Sequence, residues 1–177
     1  MAGGSLRLFV GVPVPAAAVA SATAAAGDAL DLPGARVVPP GAHHVTLRFL
    51  GAVPQGDLPS IVATIVVAVS GCPATRARLD GLGSFPGGRR RARVLWAGFA
   101  DDGTAGRLAA GLRGLPGDRP PDPFVAHCTL ARFDPPAGLP PLPQGPLGEE
   151  FPVDEVALYR SRTGTAHEVL EIFPLGR

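Results

Sequence analysis

The sequence predicts a two-lobed fold of mixed helices and strands, with the lobes related by approximate twofold symmetry. Two observations predict it. The succession strand, helix, strand occurs twice, and each closing strand carries the same signature, His44-Val45-Thr46-Leu47 and His127-Cys128-Thr129-Leu130. The two histidines lie 127 − 44 = 83 residues apart, and the aromatic centres of the two opening strands, Phe9 and Trp96, lie 96 − 9 = 87 apart. Near-equal intervals fit a duplicated unit, and two copies are too few for a solenoid.

Each element has a local reason. Leu6 to Val12 is apolar and β-prone and ends at Pro13 and Pro15, which favours a strand. The alanine-rich stretch from Ala16 to Leu30 has high helix propensity. Gly34 and Pro39-Pro40 interrupt the chain, and His43 to Leu50 reads as a second strand ended by Gly51. Leu58 to Ser70 suits a helix opened by Pro59 and closed by Gly71, although its β-branched run leaves a strand open. Arg76 to Leu82 is a predicted strand, and Phe85 to Arg91 a predicted loop. The second unit then runs as a strand over Arg93–Phe99, a helix over Thr104–Leu115 and a strand over Phe124–Phe133. Leu108, Leu112 and Leu115 share one face of that helix. Pro116 to Pro123 is a predicted loop, and Pro135 to Pro146 an ordered but irregular connection. Val153–Ser161 and Glu168–Phe173 form a closing hairpin with its turn near Gly164.

Composition narrows the function. The chain has 177 residues and is 46% hydrophobic, enough for a substantial core, and no apolar run reaches the length of a membrane-spanning helix. Leu8 to Ala20 resembles the apolar part of a signal peptide, but Pro13 and Pro15 interrupt it, so a cytoplasmic location is expected. Two cysteines do not make a disulfide scaffold. The net charge is +1, so any site for a polyanion must be local. All 16 basic residues are arginine, which with the abundant Ala, Gly and Pro matches GC-rich codons and lowers the weight of any single arginine.

The paired motif carries the chemistry. Residues two apart on a strand share a face. His44 and Thr46 therefore point one way, and Val45 and Leu47 the other. His127 and Thr129 are expected to behave identically, with Cys128 and Leu130 opposite. Two imidazoles and two hydroxyls converging on one cleft suit in-line transfer at phosphorus, which uses a base and an acid on opposite sides. Histidine, with an ordinary pKa near 6.5, can take either role, and acid–base help is worth about 10²–10⁴-fold. Thr46 and Thr129 would donate to the non-bridging oxygens, and Arg132, three residues past Thr129, would add positive charge. A zinc site typically takes four ligands, yet neither motif holds Asp or Glu, so metal binding by the histidines is disfavoured. His43 is expected on the opposite face from His44, and His167 on the surface. Parity places Phe49 on the core face with Val45 and Leu47. It leaves Phe9, on the face of Arg7 and Gly11, as the aromatic that could stack on a base. Arg89, Arg90, Arg91 and Arg93 form a basic cluster that could meet the phosphates of a polyanion or simply be solvated.

On these residues the chain resembles the bacterial and archaeal RNA 2′,3′-cyclic phosphodiesterases, first named 2′–5′ RNA ligases (LigT-like), of the two-histidine phosphoesterase superfamily. The likeness includes Arg7-Leu8-Phe9-Val10, Val38-Pro39-Pro40 leading to His44 through Gly51, and Gly83 to Phe85. It continues through Val94 to Gly98, Pro123-Phe124 with His127 to Arg132, and Leu158 to Ser161 with Phe173 to Leu175. It implies an α+β fold over residues 1–177 as a single bilobal domain, each lobe with an antiparallel sheet and helices, and a cleft between them. It implies opening of a 2′,3′-cyclic phosphate to a 2′-phosphomonoester without metal or cofactor. His44 would be the general acid, His127 the general base, and Thr46, Thr129 and Arg132 the phosphate contacts. The implied partners are RNA ends or small cyclic-phosphate nucleotides, with no membrane, and the implied state is a monomer. Formation of 2′–5′ linkages and a binding module without turnover are the alternative functions. Two positions depart from the pattern: Cys128 stands where a bulkier apolar residue is common, and His167 where an aromatic is.

Overall fold

The computed structural model describes residues 4–117, 123–162 and 165–176. The turn expected near Gly164 and most of the loop Pro116–Pro123 lie outside the described residues. The strands are β1 (Ser5–Pro13), β2 (Ala35–Val37), β3 (His44–Pro54), β4 (Thr75–Phe85), β5 (Ala92–Ala100), β6 (His127–Ala137), β7 (Phe151–Val153), β8 (Glu155–Arg160) and β9 (Glu168–Pro174). The helices are α1 (Ala16–Ala26), α2 (Leu58–Val69) and α3 (Thr104–Gly111), and α1 and α3 each run on into a short 3-10 turn. The β-branched segment Ile61–Val69 is therefore helical, with Ile61, Ile65 and Val69 forming its buried stripe. Among the described residues, no helix is long and apolar enough to cross a membrane.

The strands lie in the order β7-β4-β5-β6-β3-β1-β8-β9, with β2 added beside β6, and every pairing is antiparallel. The order has the predicted twofold character. β3, β1 and β8 repeat β6, β5 and β4 on the other side of the centre. At that centre β3 and β6 share one register pair, Val45 opposite Cys128. The lobes therefore diverge from a narrow junction while one cluster of buried side chains runs beneath both.

The lobes are not consecutive halves of the chain. α1 follows β1 in the first lobe yet packs on β4 in the second, and α3 follows β5 in the second yet packs on β3 in the first. The proline-rich segment takes the place of a second helix on the β4 side. Its backbone bonds along β4 (Gly81 N to Gly145 O, 2.7 Å; Leu147 N to Leu79 O, 2.9 Å), and Leu139 and Leu147 are buried.

One irregularity changes the predicted parity. Register passes from Gly11–Thr46 to Val10–Arg48, skipping Leu47, and from Trp96–Thr129 to Leu95–Ala131, skipping Leu130. Both motif strands thus bulge at the same leucine. A bulge shifts the alternation of everything beyond it. Phe49, expected on the core face, instead turns to the side of His44 and Thr46 and packs with Phe9, Ala157 and Tyr159. Arg48 turns inward instead. At 4% exposure it donates to the carbonyls of Leu115 (2.6 Å) and Gly117 (3.2 Å), tying β3 to the chain leaving α3.

Arg48→Met removes two charge-assisted bonds and strands the buried Leu115 carbonyl. It is expected to lower unfolding free energy by about 3 kcal/mol, measured by urea denaturation. A loss under about 0.5 kcal/mol, the range of an ordinary surface substitution, would contradict this anchoring.

Candidate active site

The paired register builds the site from the junction outward. Val45 and Cys128 are fully buried, so the residues flanking each, His44 with Thr46 and His127 with Thr129, face the cleft side of their strands. All four are half-buried. The predicted alternation across both motifs holds up to the bulges.

Each imidazole is held in the same way. His44 Nδ1 donates to the Ala42 carbonyl at 2.8 Å, and His127 Nδ1 donates to the Val125 carbonyl at 2.7 Å. A carbonyl can only accept, so these bonds fix the proton on Nδ1 of the neutral rings and leave Nε2 to work in the cleft. Neither threonine hydroxyl is hydrogen-bonded among the described residues, so both remain available as donors. Arg132 owes its place to the bulge. Strict alternation puts a residue three past Thr129 on the opposite face, but skipping Leu130 returns Arg132, exposed, to the face of His127 and Thr129.

The electrostatics follow from burial. Desolvation lowers the His44 imidazole from its usual 6.5 to about 4, opposed by the Ala42 carbonyl and reinforced by charge on His167, His43 and Arg132. Burial also lowers His127, opposed by the Val125 carbonyl and reinforced by Arg132. Arg132 thus bears on both rings. Cys128 is no nucleophile: burial pushes its thiol up to about 12.

Aromatic walls support the rings. On the first lobe His44 lies 4.4 Å from Phe9, 5.7 Å from Tyr159 and 5.3 Å from His167. Phe9 is stacked on Tyr159 at 4.8 Å and is 3% exposed. The expectation that Phe9 stacks on a base is corrected. Its face is the expected one, but the neighbouring rings occupy it, and it serves as the floor under His44. His167 is not a free surface residue. Its ring meets Phe9 edge-on at 4.9 Å, and its Nδ1 accepts the backbone N–H of Arg162 at 3.2 Å. On the second lobe Phe85 and Trp96 lie 5.0 and 5.9 Å from His127.

Register also corrects the equivalence of the two aromatic strand centres. Gly11 stands opposite Thr46 and Trp96 opposite Thr129, so Trp96 matches Gly11, and Phe9 matches Val94. The indole finds room because its cross-strand neighbour is Gly83, where a Cβ would overlap the ring. Arg90 and Arg91 lie at the tip of the β4–β5 hairpin, exposed. The side chain of Arg89 lies outside the described residues. Arg93 is exposed on β5. Phe85, Tyr159 and His167 are site residues that sequence reasoning does not single out. Phe85 falls in a predicted loop, and His167 precedes the regular part of β9, where alternation gives no guide.

The chain is similar to known proteins over most of its length. Residues 10–96 match the family described as LigT like phosphoesterase. The chain is 36% identical to an RNA 2′,3′-cyclic phosphodiesterase of Thermus thermophilus over 96% of its length and 90% of that protein's. It is 33% identical to a protein of the same name from Geobacillus stearothermophilus, over 94% of its length but 56% of that protein's. It is also similar to the crystal structure of a Thermus thermophilus protein (TM-score 0.78, 36% identity, covering 97% of this chain and 99% of that one). E. coli LigT complexed with ATP superposes with a TM-score of 0.74 at 25% identity, covering 99% of this chain and 100% of that one.

Gly83→Ala is expected to displace the indole and weaken the wall beside His127. Trp96 is the single tryptophan, so its emission should shift towards longer wavelength in the folded variant. An unchanged spectrum would contradict the close packing.

Proposed function

The chain belongs to the LigT-like phosphoesterase family, and on that premise we propose that it is an RNA 2′,3′-cyclic phosphodiesterase. It opens the cyclic phosphate at an RNA end to leave a 2′-phosphomonoester. The observation that carries the reading is the duplicated presentation of His44 with Thr46 and His127 with Thr129 on strands joined at Val45–Cys128. Relatives that bear the name cover nearly the whole chain.

In the proposed reaction, His127 Nε2 accepts a proton from water as the water oxygen attacks phosphorus. The bond from phosphorus to the 3′ oxygen breaks, and His44 gives that oxygen its proton. The 2′ oxygen keeps the phosphate. Thr46, Thr129 and Arg132 bind the non-bridging oxygens, where negative charge collects. Each Nδ1 bond to a carbonyl holds its ring in the working tautomer and supports the charged form. The depressed pKa of His44 makes it a strong acid once protonated, and an anionic phosphate between the rings favours that protonation. An RNA end is the natural substrate of such a site, and small nucleotides share its phosphate chemistry; E. coli LigT was crystallised with one. The protein works as a monomer in the cytoplasm.

Replacing His44 or His127 by Ala should lower kcat by at least about 10²-fold with the fold retained, measured on a 2′,3′-cyclic nucleotide with EDTA present. Full activity in either variant refutes the paired site, and loss of wild-type activity on chelation refutes the metal-free route. The pH profile of kcat/KM gives a second check. The working form needs one ring protonated and one neutral. Both rings titrate below 6.5 in the free protein, so the maximum should fall below pH 6.5. Bound phosphate raises both, so the kcat profile should lie at higher pH. A kcat/KM maximum above pH 7.5 would contradict the depressed pair.

A further inference from the structure

We propose that the second lobe carries a groove for the RNA strand leading to the cyclic end, with Arg90 and Arg91 holding its phosphates. This rests on the phosphodiesterase reading and adds to it a preference for RNA chains over mononucleotides.

The groove is two adjoining cavities of about 560 and 540 Å³ that share Gly87 and Gly88. One is lined by Pro86, Arg90, Arg91 and Leu139, the other by Gly83, Trp96, Leu142 and Gln144. Trp96 therefore faces both the groove and, at 5.9 Å, the His127 ring. The sheet register fixes the direction. Phe85, Val94 and Arg132 stand in one row across β4, β5 and β6. Arg91 and Arg90 precede Val94 by three and four residues, in the 3-10 turn that leads into β5, so they lie beyond that row at the hairpin tip, away from the phosphate contact Arg132.

Charge supports the same place. Arg36, Arg76, Arg78, Arg107, Arg160 and Arg162 each lie within salt-bridge distance of a carboxylate. Arg90 and Arg91, like Arg7, Arg93, Arg113 and Arg132, have no such partner among the described residues, but these two are adjacent in the chain and line one cavity, and no carboxylate lines either cavity. Coding bias explains why arginines are many but not why these two stand together without counter-charge. Their planar donors fit phosphate oxygens. Beside the polar Ser84 and Gln144, the lining presents Trp96, Leu142, Leu139 and Pro86, apolar surfaces that suit base faces, whose stacking on aromatics tolerates any sequence. On the other lobe Phe9, Tyr159 and His167 pack around His44.

The test compares an oligoribonucleotide ending in a 2′,3′-cyclic phosphate with the cyclic mononucleotide, in wild type and R90A/R91A. Two contacts on single-stranded RNA contribute a salt slope of about −1.4. From 50 to 200 mM salt the wild type should therefore lose about sevenfold more kcat/KM on the oligonucleotide than the variant does. The loss should sit in KM, and mononucleotide turnover should be unchanged. Equal losses on both substrates, or an unchanged salt slope, overturn the groove. Anisotropy with an oligoribonucleotide ending in a 3′-phosphate separates the two readings. If wild type turns over neither substrate, the phosphodiesterase reading fails. Weaker binding by R90A/R91A still supports the groove, and unchanged binding overturns it.

Discussion

The site depends on one narrow join. β3 and β6 touch at a single register pair, Val45 with Cys128, and that pair lies between the histidine and threonine of both motifs. Strand alternation does the rest. With the central residue of each motif buried in the join, its two neighbours must face the cleft. A second constraint acts just beyond, where both strands bulge at the leucine that closes the motif. Without that bulge Arg132 would point into the core and Arg48 out of it. The same irregularity thus delivers a cation to the phosphate side of one lobe and a buried structural anchor to the other.

The join also sets the electrostatics. Packing the rings against aromatic walls removes water, which disfavours the imidazolium, and Arg132 adds repulsion from one side. Only the carbonyls of Ala42 and Val125 oppose this. The resting cleft therefore holds two neutral rings beside a guanidinium that has no carboxylate partner among the described residues. Such a cleft favours an anion, and an anion restores the proton that acid catalysis needs. Binding and protonation are coupled by the same burial.

Much of this is legible in the sequence. The motif spacing, the alternation within each motif and the α+β alternation of elements come from local pattern, and burial enforces each of them. Phe49 and Phe9 depart from expectation for different reasons. For Phe49, a bulge is a tertiary event that leaves no mark in a run such as Thr46-Leu47-Arg48-Phe49. For Phe9 the face is as expected, but whether a ring on that face is open depends on Tyr159 and His167, more than a hundred residues away in the chain. Interval counting pairs Trp96 with Phe9 because both are aromatic. Register shows that Trp96 occupies the position of Gly11, a match visible only once strands are paired.

That mismatch makes the surroundings of the nearly symmetric site asymmetric. At Gly11 a Cβ would meet the Val45 carbonyl at 2.8 Å, so β1 lies close against β3, and His44 is enclosed by Phe9, Tyr159 and His167. At the equivalent position of the second lobe stands Trp96, whose ring lies over Gly83 and borders a groove that continues to Arg90 and Arg91, unpaired among the described residues. Burial lowers both rings, His44 to about 4. The ring beside the groove is the more accessible to water. Asymmetric walls thus surround a symmetric pair of histidines, and the proposed reaction uses that difference to separate its proton donor from its base.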